Sequence, residues 1–481
     1  MHGVEHYNAR YVWTIATIAA LGGLLFGYDW VVIGGAKPFY EKCFQLDNAT
    51  QIGWANSCAL LGCLLGSMFA GAAGDRMGRK KLLILSAALF AVSSVLTGWA
   101  QTFAAFVMWR IAGGIAIGIA SNISPLYIAE VSPAAWRGRL VTMNQMTIVI
   151  GILAAQIVNW TIAVPVPEGS TAETIRLSWN GQVGWRWMFT AVAVPSLIFF
   201  VGALFVPESP RWLVSRGKRD LAKDTLARIG GADYAENAVR EIEIASTPAE
   251  GAGGNWAGLR STGMLGILGI GVFLAVLQQW SGINVIFNYA EEIYRDAGYD
   301  VNGTLFNIVI TGTINLVFTL VALGFVDRLG RRALMMGGCA GIGVSHFLLG
   351  LAYHFGLKGL PVLICTLCTI ACYAMSLAPV TWVLISEIFP NRIRGVAVSI
   401  SVSALWIACF ALTFTFPMLN RALGGAGTFW LYSAICFAGL VFVTLRVSET
   451  KGKTLEQIER DYAGAKARFA AFPLRGDAGR P

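Results

Sequence analysis

GDRMGRKK, residues 74–81, sets four basic residues and one acid between two apolar stretches, each long enough to cross a bilayer. VDRLGRR at 326–332 repeats the pattern, with Asp75 and Asp327 standing 252 residues apart. A second pair keeps nearly the same interval: AEVSPAAWRGR at 129–139 matches SEIFPNRIRG at 386–395, with 257 residues from Glu130 to Glu387 and from Arg137 to Arg394. The repeats follow the second and eighth apolar stretches, then the fourth and tenth. The chain therefore reads as two related halves of six spans each.

Composition agrees. Of 481 residues, 56% are hydrophobic and 13% charged, with a mean hydropathy of +0.62, whereas a soluble domain carries about 25% charged residues. At about 20 residues per span, the chain holds about twelve, which predicts an all-α membrane protein of two pseudo-symmetric six-helix bundles. The first apolar stretch contains Asp29 and is too long for a signal-peptide core. Polar residues 207–259, with amphipathic pieces such as RDLAKDTLARI, read as a linker of short cytoplasmic helices. The expected division is a first bundle over 1–206, the linker over 207–259, a second bundle over 260–446 and a cytoplasmic tail over 447–481.

The net charge of +9 is topological. Twenty-eight of the 36 Lys and Arg fall in the termini and the loops on their side, and basic residues collect on the cytoplasmic side of membrane proteins. Both termini are expected there, in a multi-pass protein of the plasma (inner) membrane, and no nucleic-acid partner is implied. The nine cysteines lie mostly in spans and read as small buried side chains. Cys365, Cys368 and Cys372 share one helical face but have no His or carboxylate neighbours there, so no metal is expected. His2, His6, His346 and His354 form no catalytic constellation, and no enzyme is expected. GKT at 452–454 lacks the preceding glycine of a nucleotide-binding loop.

Topology accounts for the basic residues of the loops but not for the acids. Asp75, Glu130, Glu208, Asp327 and Glu387 stand near Arg79, Arg137, Arg211, Arg331 and Arg394 at cytoplasmic helix ends, where carboxylate and guanidinium meet in bidentate geometry. They are read as a gate whose pairs lock the cytoplasmic face and break when the halves rock; the plainer reading is loop anchoring. Small residues at spacing four, Gly62 with Gly66 and Gly114 with Gly118, suit close helix contact.

Within the spans, Asp29 and Arg110 are expected to pair, because an isolated charge in mid-bilayer is costly. Gln278, Gln279 and Asn284 flank Gly282, a place for local unwinding that would turn amides toward a cavity; Gln145 and Asn315 add amides from other helices. Amides both donate and accept, which matches a ring of hydroxyls without adding charge. Phe26, Trp382 and Trp406 offer aromatic faces for an apolar edge.

VPESPRWLVSRGK at 206–218, QQWSGINVIFNYA at 278–290, SEIFPNRIRG and SETKGKTLEQIE at 448–459 resemble the sugar porter family of the major facilitator superfamily. The resemblance covers nearly the whole chain. It implies the major facilitator fold and alternating access, without a cofactor. It implies proton-coupled symport of a monosaccharide, a pentose or hexose such as xylose or glucose, by a monomer in lipid. The alternatives are a passive facilitator or a transporter-like sugar sensor. By resemblance Gln145, Gln278, Gln279, Asn284 and Asn315 are sugar contacts, Phe26, Trp382 and Trp406 line the sugar, and Asp29 with Arg110 couples the proton. The sequence departs from the family at Leu405, Asn288 and Ala378, in place of an amide, a tyrosine and a glycine.

Overall fold

The computed structural model describes residues 7–167, 169–246, 264–389 and 394–451, and the backbone alone at residues 245, 246, 326, 327, 386, 394 and 395. Among the described residues every regular element is a helix. Six spans form the first half: Ala9–Cys43, Ala49–Met77, Arg79–Gly98, Phe103–Val131, Arg137–Ile162 and Asn180–Phe205. Asn8, Asn48 and Thr102 open the first, second and fourth by accepting the N–H of Tyr11, Thr50 and Ala105, the ordinary N-cap arrangement.

The second half repeats the plan. Met264–Asn288 is the seventh span, Val301–Leu329 the eighth, Arg331–His354 the ninth, and Leu360–Met375 with Leu377–Glu387 the tenth. The helix Arg394–Arg446 turns at Gly424, φ 69°, so it supplies both the eleventh and the twelfth. Eleven stretches are long and apolar enough to cross a bilayer, and the last of them counts twice. With an even number of spans, the first begins and the last ends at one face, the terminal face; the other is the far face.

Glycine permits a close helix contact. Gly62 and Gly66 of the second span lie against Gly114 and Gly118 of the fourth, where an added Cβ would sit 1.9–2.3 Å from a carbonyl oxygen of the facing backbone. The predicted small-residue faces are thus one interface. At the terminal face, linker helices Pro210–Ser215 and Arg219–Ser246 rest on the first half. Asn8 N–H donates to the Ile229 carbonyl at 2.8 Å, and Tyr7 meets Trp136 and Tyr234 edge-on.

The opening motif is a turn held by a carboxylate. Gly78 has φ 94° and Gly330 φ 92°, a region closed to side-chain-bearing residues, and each precedes the first residue of a span. Glu208 Oε1 accepts from the backbone N–H of Arg79, Lys80 and Ser209 at 2.8–3.1 Å. Glu449 does the same for Arg331, Arg332, Thr450 and Lys451 at 2.9–3.1 Å. Helix N-termini present unpaired N–H groups and partial positive charge, so a carboxylate is the fitting cap. A Cβ on Gly78 would lie 2.1 Å from Glu208 Oε2, and one on Gly330 2.6 Å from Glu449 Oε2. Partial burial pushes the Glu449 carboxyl up, but the four N–H donors outweigh it and hold the group below the usual carboxylate range.

Gly78→Ala and Gly330→Ala should each cost about 1–2 kcal/mol from the left-handed backbone alone, read as a lowered melting temperature. Because the folded-state pKa of Glu449 is depressed, its stabilisation is present above the unfolded carboxylate pKa and lost as pH falls through the folded one. Glu449→Gln should flatten that acid limb; an unchanged limb would contradict the cap.

Candidate functional site

Two spans are interrupted at mid-membrane, and the interruptions build the site. The seventh stops at Trp280 and restarts at Ile283, with Gly282 left-handed at φ 87° and ψ −3°. The expected unwinding at Gly282 is therefore present. Ser281 C=O accepts from His346 Nε2 at 2.8 Å, so a ninth-span histidine satisfies a carbonyl that the break releases. A Cβ at Gly282 would lie 2.8 Å from that same Nε2 and 3.0 Å from the Tyr432 ring. The tenth span breaks at Ser376, φ −131° and ψ −87°.

The break aligns the amides. Asn284 Nδ2 donates to Gln279 Oε1 at 2.5 Å, Gln279 Nε2 to Gln278 Oε1 at 3.0 Å, and Gln278 Nε2 to the Leu377 and Ala378 carbonyls at 3.3 and 3.5 Å. All three amides are buried, as is Asn315; Gln145 is half-buried. Among the described residues the amides of Gln145 and Asn315 bond no protein group. Phe26 and Trp406 meet with ring centroids 6.0 Å apart, and Trp30 closes a triangle at 5.6 Å from Phe26 and 5.9 Å from Trp406. Among the described residues Trp406 Nε1 is buried without a partner. Trp382 stands outside this triangle, 41% exposed, one turn beyond Ala378 toward the terminal face.

Asp29 and Arg110 pair as expected. Arg110 Nη1 donates to Asp29 Oδ1 at 2.9 Å, with both groups buried, and its guanidinium lies 5.4 Å from the Phe189 ring centre. Among the described residues Asp29 Oδ2 and Arg110 Nε have no partner. A cavity of about 10 Å³ between Trp30, Asn56, Arg110 and Asn288 has room for about one water; it touches Arg110 of the ion pair and Trp30 of the aromatic triangle.

The terminal-face charges pair differently from expectation. Arg79 holds Glu130 by two bonds, 3.0 and 3.2 Å, and reaches Asp75 at 3.1 Å. Arg331 reaches Glu387 at 3.4 Å, and Thr450 Oγ1 donates to Glu387 at 2.6 Å. Arg137 donates to the Ala129 carbonyl at 3.0 Å and, among the described residues, meets no carboxylate. Arg211 is exposed, and Trp212 and Arg216 take its place by donating to the Asp75 carbonyl. Glu208 caps a helix instead of binding a guanidinium, because three backbone N–H groups converge on it. The side chains of Asp327 and Arg394 lie outside the described residues. The described pairs at this face therefore join helices within one half.

Contacts between the halves lie from mid-membrane to the far face among the described residues. They run from Phe26–Trp406 through Trp54–Phe410 and Trp160–Phe306 to Lys37–Glu292 and the Asn302–Val166 bond. Sequence reasoning missed Trp30, Gln156 and Lys37. Trp30 follows Phe26 by four residues, hence on the same helical face. Gln156 follows Gln145 by eleven, again on one face, and a Cβ on Gly312 of the eighth span would lie 1.8 Å from Gln156 Oε1. Among the described residues no His, Cys, Asp and Glu side chains gather as a metal site.

The sequence profile of the family described as "Sugar (and other) transporter" matches residues 15–462. The chain belongs to this family. It is 38% identical to the D-xylose-proton symporter of Escherichia coli (strain K12), covering 94% of this chain and 96% of that one. It is 39% identical to the glucose transport protein of Synechocystis, with 94% and 97% covered. The solved inward-open conformation of the xylose transporter from E. coli superposes with a TM-score of 0.82 at 36% identity, over 94% of this chain and 99% of that one.

Gly282→Ala should lower the melting temperature, read by tryptophan fluorescence, because the new Cβ meets His346 and the backbone is left-handed. Gly71→Ala, at a helical position with open space around it, should leave it unchanged or raised. Equal effects at the two sites would contradict this account of the break.

Proposed function

We propose that the protein is a proton-coupled symporter that imports a monosaccharide by alternating access, as a monomer in the inner membrane with its terminal face in the cytoplasm. The observation that carries the reading is the buried Asp29–Arg110 pair beside an amide and aromatic site. A carboxylate releases its proton when a cation approaches and takes one when that cation leaves a dry site. Asp29 Oδ2, without a partner, is the oxygen to receive it. Gln278, Gln279, Asn284, Gln145 and Asn315 supply donors and acceptors for hydroxyls. The Phe26–Trp30–Trp406 triangle supplies the flat apolar faces that suit the C–H side of a sugar ring, and Trp382 closes from the cytoplasmic side. The bias of Lys and Arg toward the terminal face supports its orientation. The family's relatives named for xylose–proton, arabinose–proton and glucose transport support the substrate class.

The Arg79–Glu130 and Arg331–Glu387 clusters serve, in this reading, to keep each half rigid while it rocks. Asp29→Asn should abolish uphill sugar uptake in proteoliposomes under an imposed proton gradient while sugar exchange persists; uphill uptake by that variant would overturn the coupling. Gln279→Ala should weaken sugar binding about tenfold, the loss of about one good hydrogen bond, measured by isothermal titration. Unaltered affinity would remove Gln279 from the site.

A further inference from the structure

The first span continues past Lys37 through Pro38 to Cys43, and Lys37 is fully buried. Its Nζ lies 3.3 Å from Glu41 one turn on, and 3.4 and 2.5 Å from Glu291 and Glu292. Those two acids open the short helix Ala290–Asp296 that follows the seventh span. Among the described residues these are the ion pairs that cross between the halves. The backbones touch at the same level: a Cβ on Gly34 would lie 2.6 Å from the Phe287 carbonyl oxygen. Arg295 braces Glu291 from behind at 2.6 Å, and the Tyr289 ring lies 5.3 Å from Lys37 Nζ. Outside lies a cavity of about 300 Å³ lined by Glu41, Glu292, Arg295, Asp296 and Arg421, and Arg421 crosses to the Asp47 carbonyl at 2.7 Å.

We propose that Lys37 is the positioning residue that holds the far face shut, through an ion lock between the first span and the helix after the seventh. A lysine sealed from water is tolerable only while carboxylates surround it, and here two of its three acids belong to the opposite half. Separating the halves leaves Lys37 with Glu41 alone and admits water from the adjoining cavity, which restores by hydration what the acids supplied. Attraction and desolvation oppose each other in a buried pair, so the closed and open arrangements stay near in free energy, as a gate requires. The lock rests on the alternating-access reading only in assuming that the halves part at the far face.

The test is hydrogen–deuterium exchange of the full chain in nanodiscs, without sugar or proton gradient. Lys37→Met should raise exchange about tenfold or more in far-face segments 44–52 and 411–423, and lower it in terminal-face segments 68–80 and 318–330. The charge-swapped pair Lys37→Glu with Glu292→Lys, which keeps the same four charges, should return both faces toward the wild-type pattern. If Lys37→Met does not fold, Glu291→Gln with Glu292→Gln should produce the same opposed shift. Exchange unchanged, or rising at both faces together, would overturn the lock. Wild-type protein that fails to take up any sugar would instead sink the transport reading and leave this result standing.

Discussion

A polar group inside a bilayer is tolerated only against another polar group, and that constraint organises this molecule at every depth. At the terminal face, Glu208 and Glu449 satisfy the first N–H groups of the third and ninth spans. In mid-membrane, His346 covers the carbonyl freed at the Gly282 break, and the amides of Asn284, Gln279 and Gln278 satisfy one another as far as the tenth span. Near the far face, three carboxylates surround Lys37. Among the described residues, Asp29 Oδ2, Arg110 Nε, Asn288 Oδ1 and Trp406 Nε1 are buried without a partner, and these four lie beside the proposed sugar and proton site.

The division of labour between the faces follows. Within each half, guanidinium–carboxylate pairs and carboxylate caps tie helices together at the terminal face, which in the proposed cycle lets each half move as a unit. Between the halves, the far face carries the ion contacts and the middle carries aromatic ones. Aromatic faces part and meet again without leaving an unpaired charge, which suits a surface that must admit a ligand; an ion lock adds a defined closed position.

Much of this was legible because membrane chemistry narrows the choices. Asp29 and Arg110 were readable as partners, since neither is tolerable alone in an apolar helix. The glycine faces of the second and fourth spans and the break at Gly282 were equally plain. What failed was the choice among partners at helix ends. A carboxylate near arginines binds a guanidinium or caps an N-terminus, and spacing does not separate the two; Glu208 took the second course. Glu449 was visible in principle, since VSET at 447–450 stands where VPES stands at 206–209 in the other half. Lys37 was hidden because a charged residue followed by proline looks like a loop, whereas the helix continues and the acids that make burial possible come from about 254 residues away. Trp382 stands exposed, apart from the aromatic triangle, which its place in the sequence did not reveal.

The central claim is that one site binds sugar and proton together. Proteoliposomes loaded with a pH-sensitive dye, with no imposed gradient, test it when a monosaccharide is added outside. The account predicts that sugar flowing in acidifies the lumen, in proportion to the sugar that enters. Sugar entry with no change in luminal pH would contradict it.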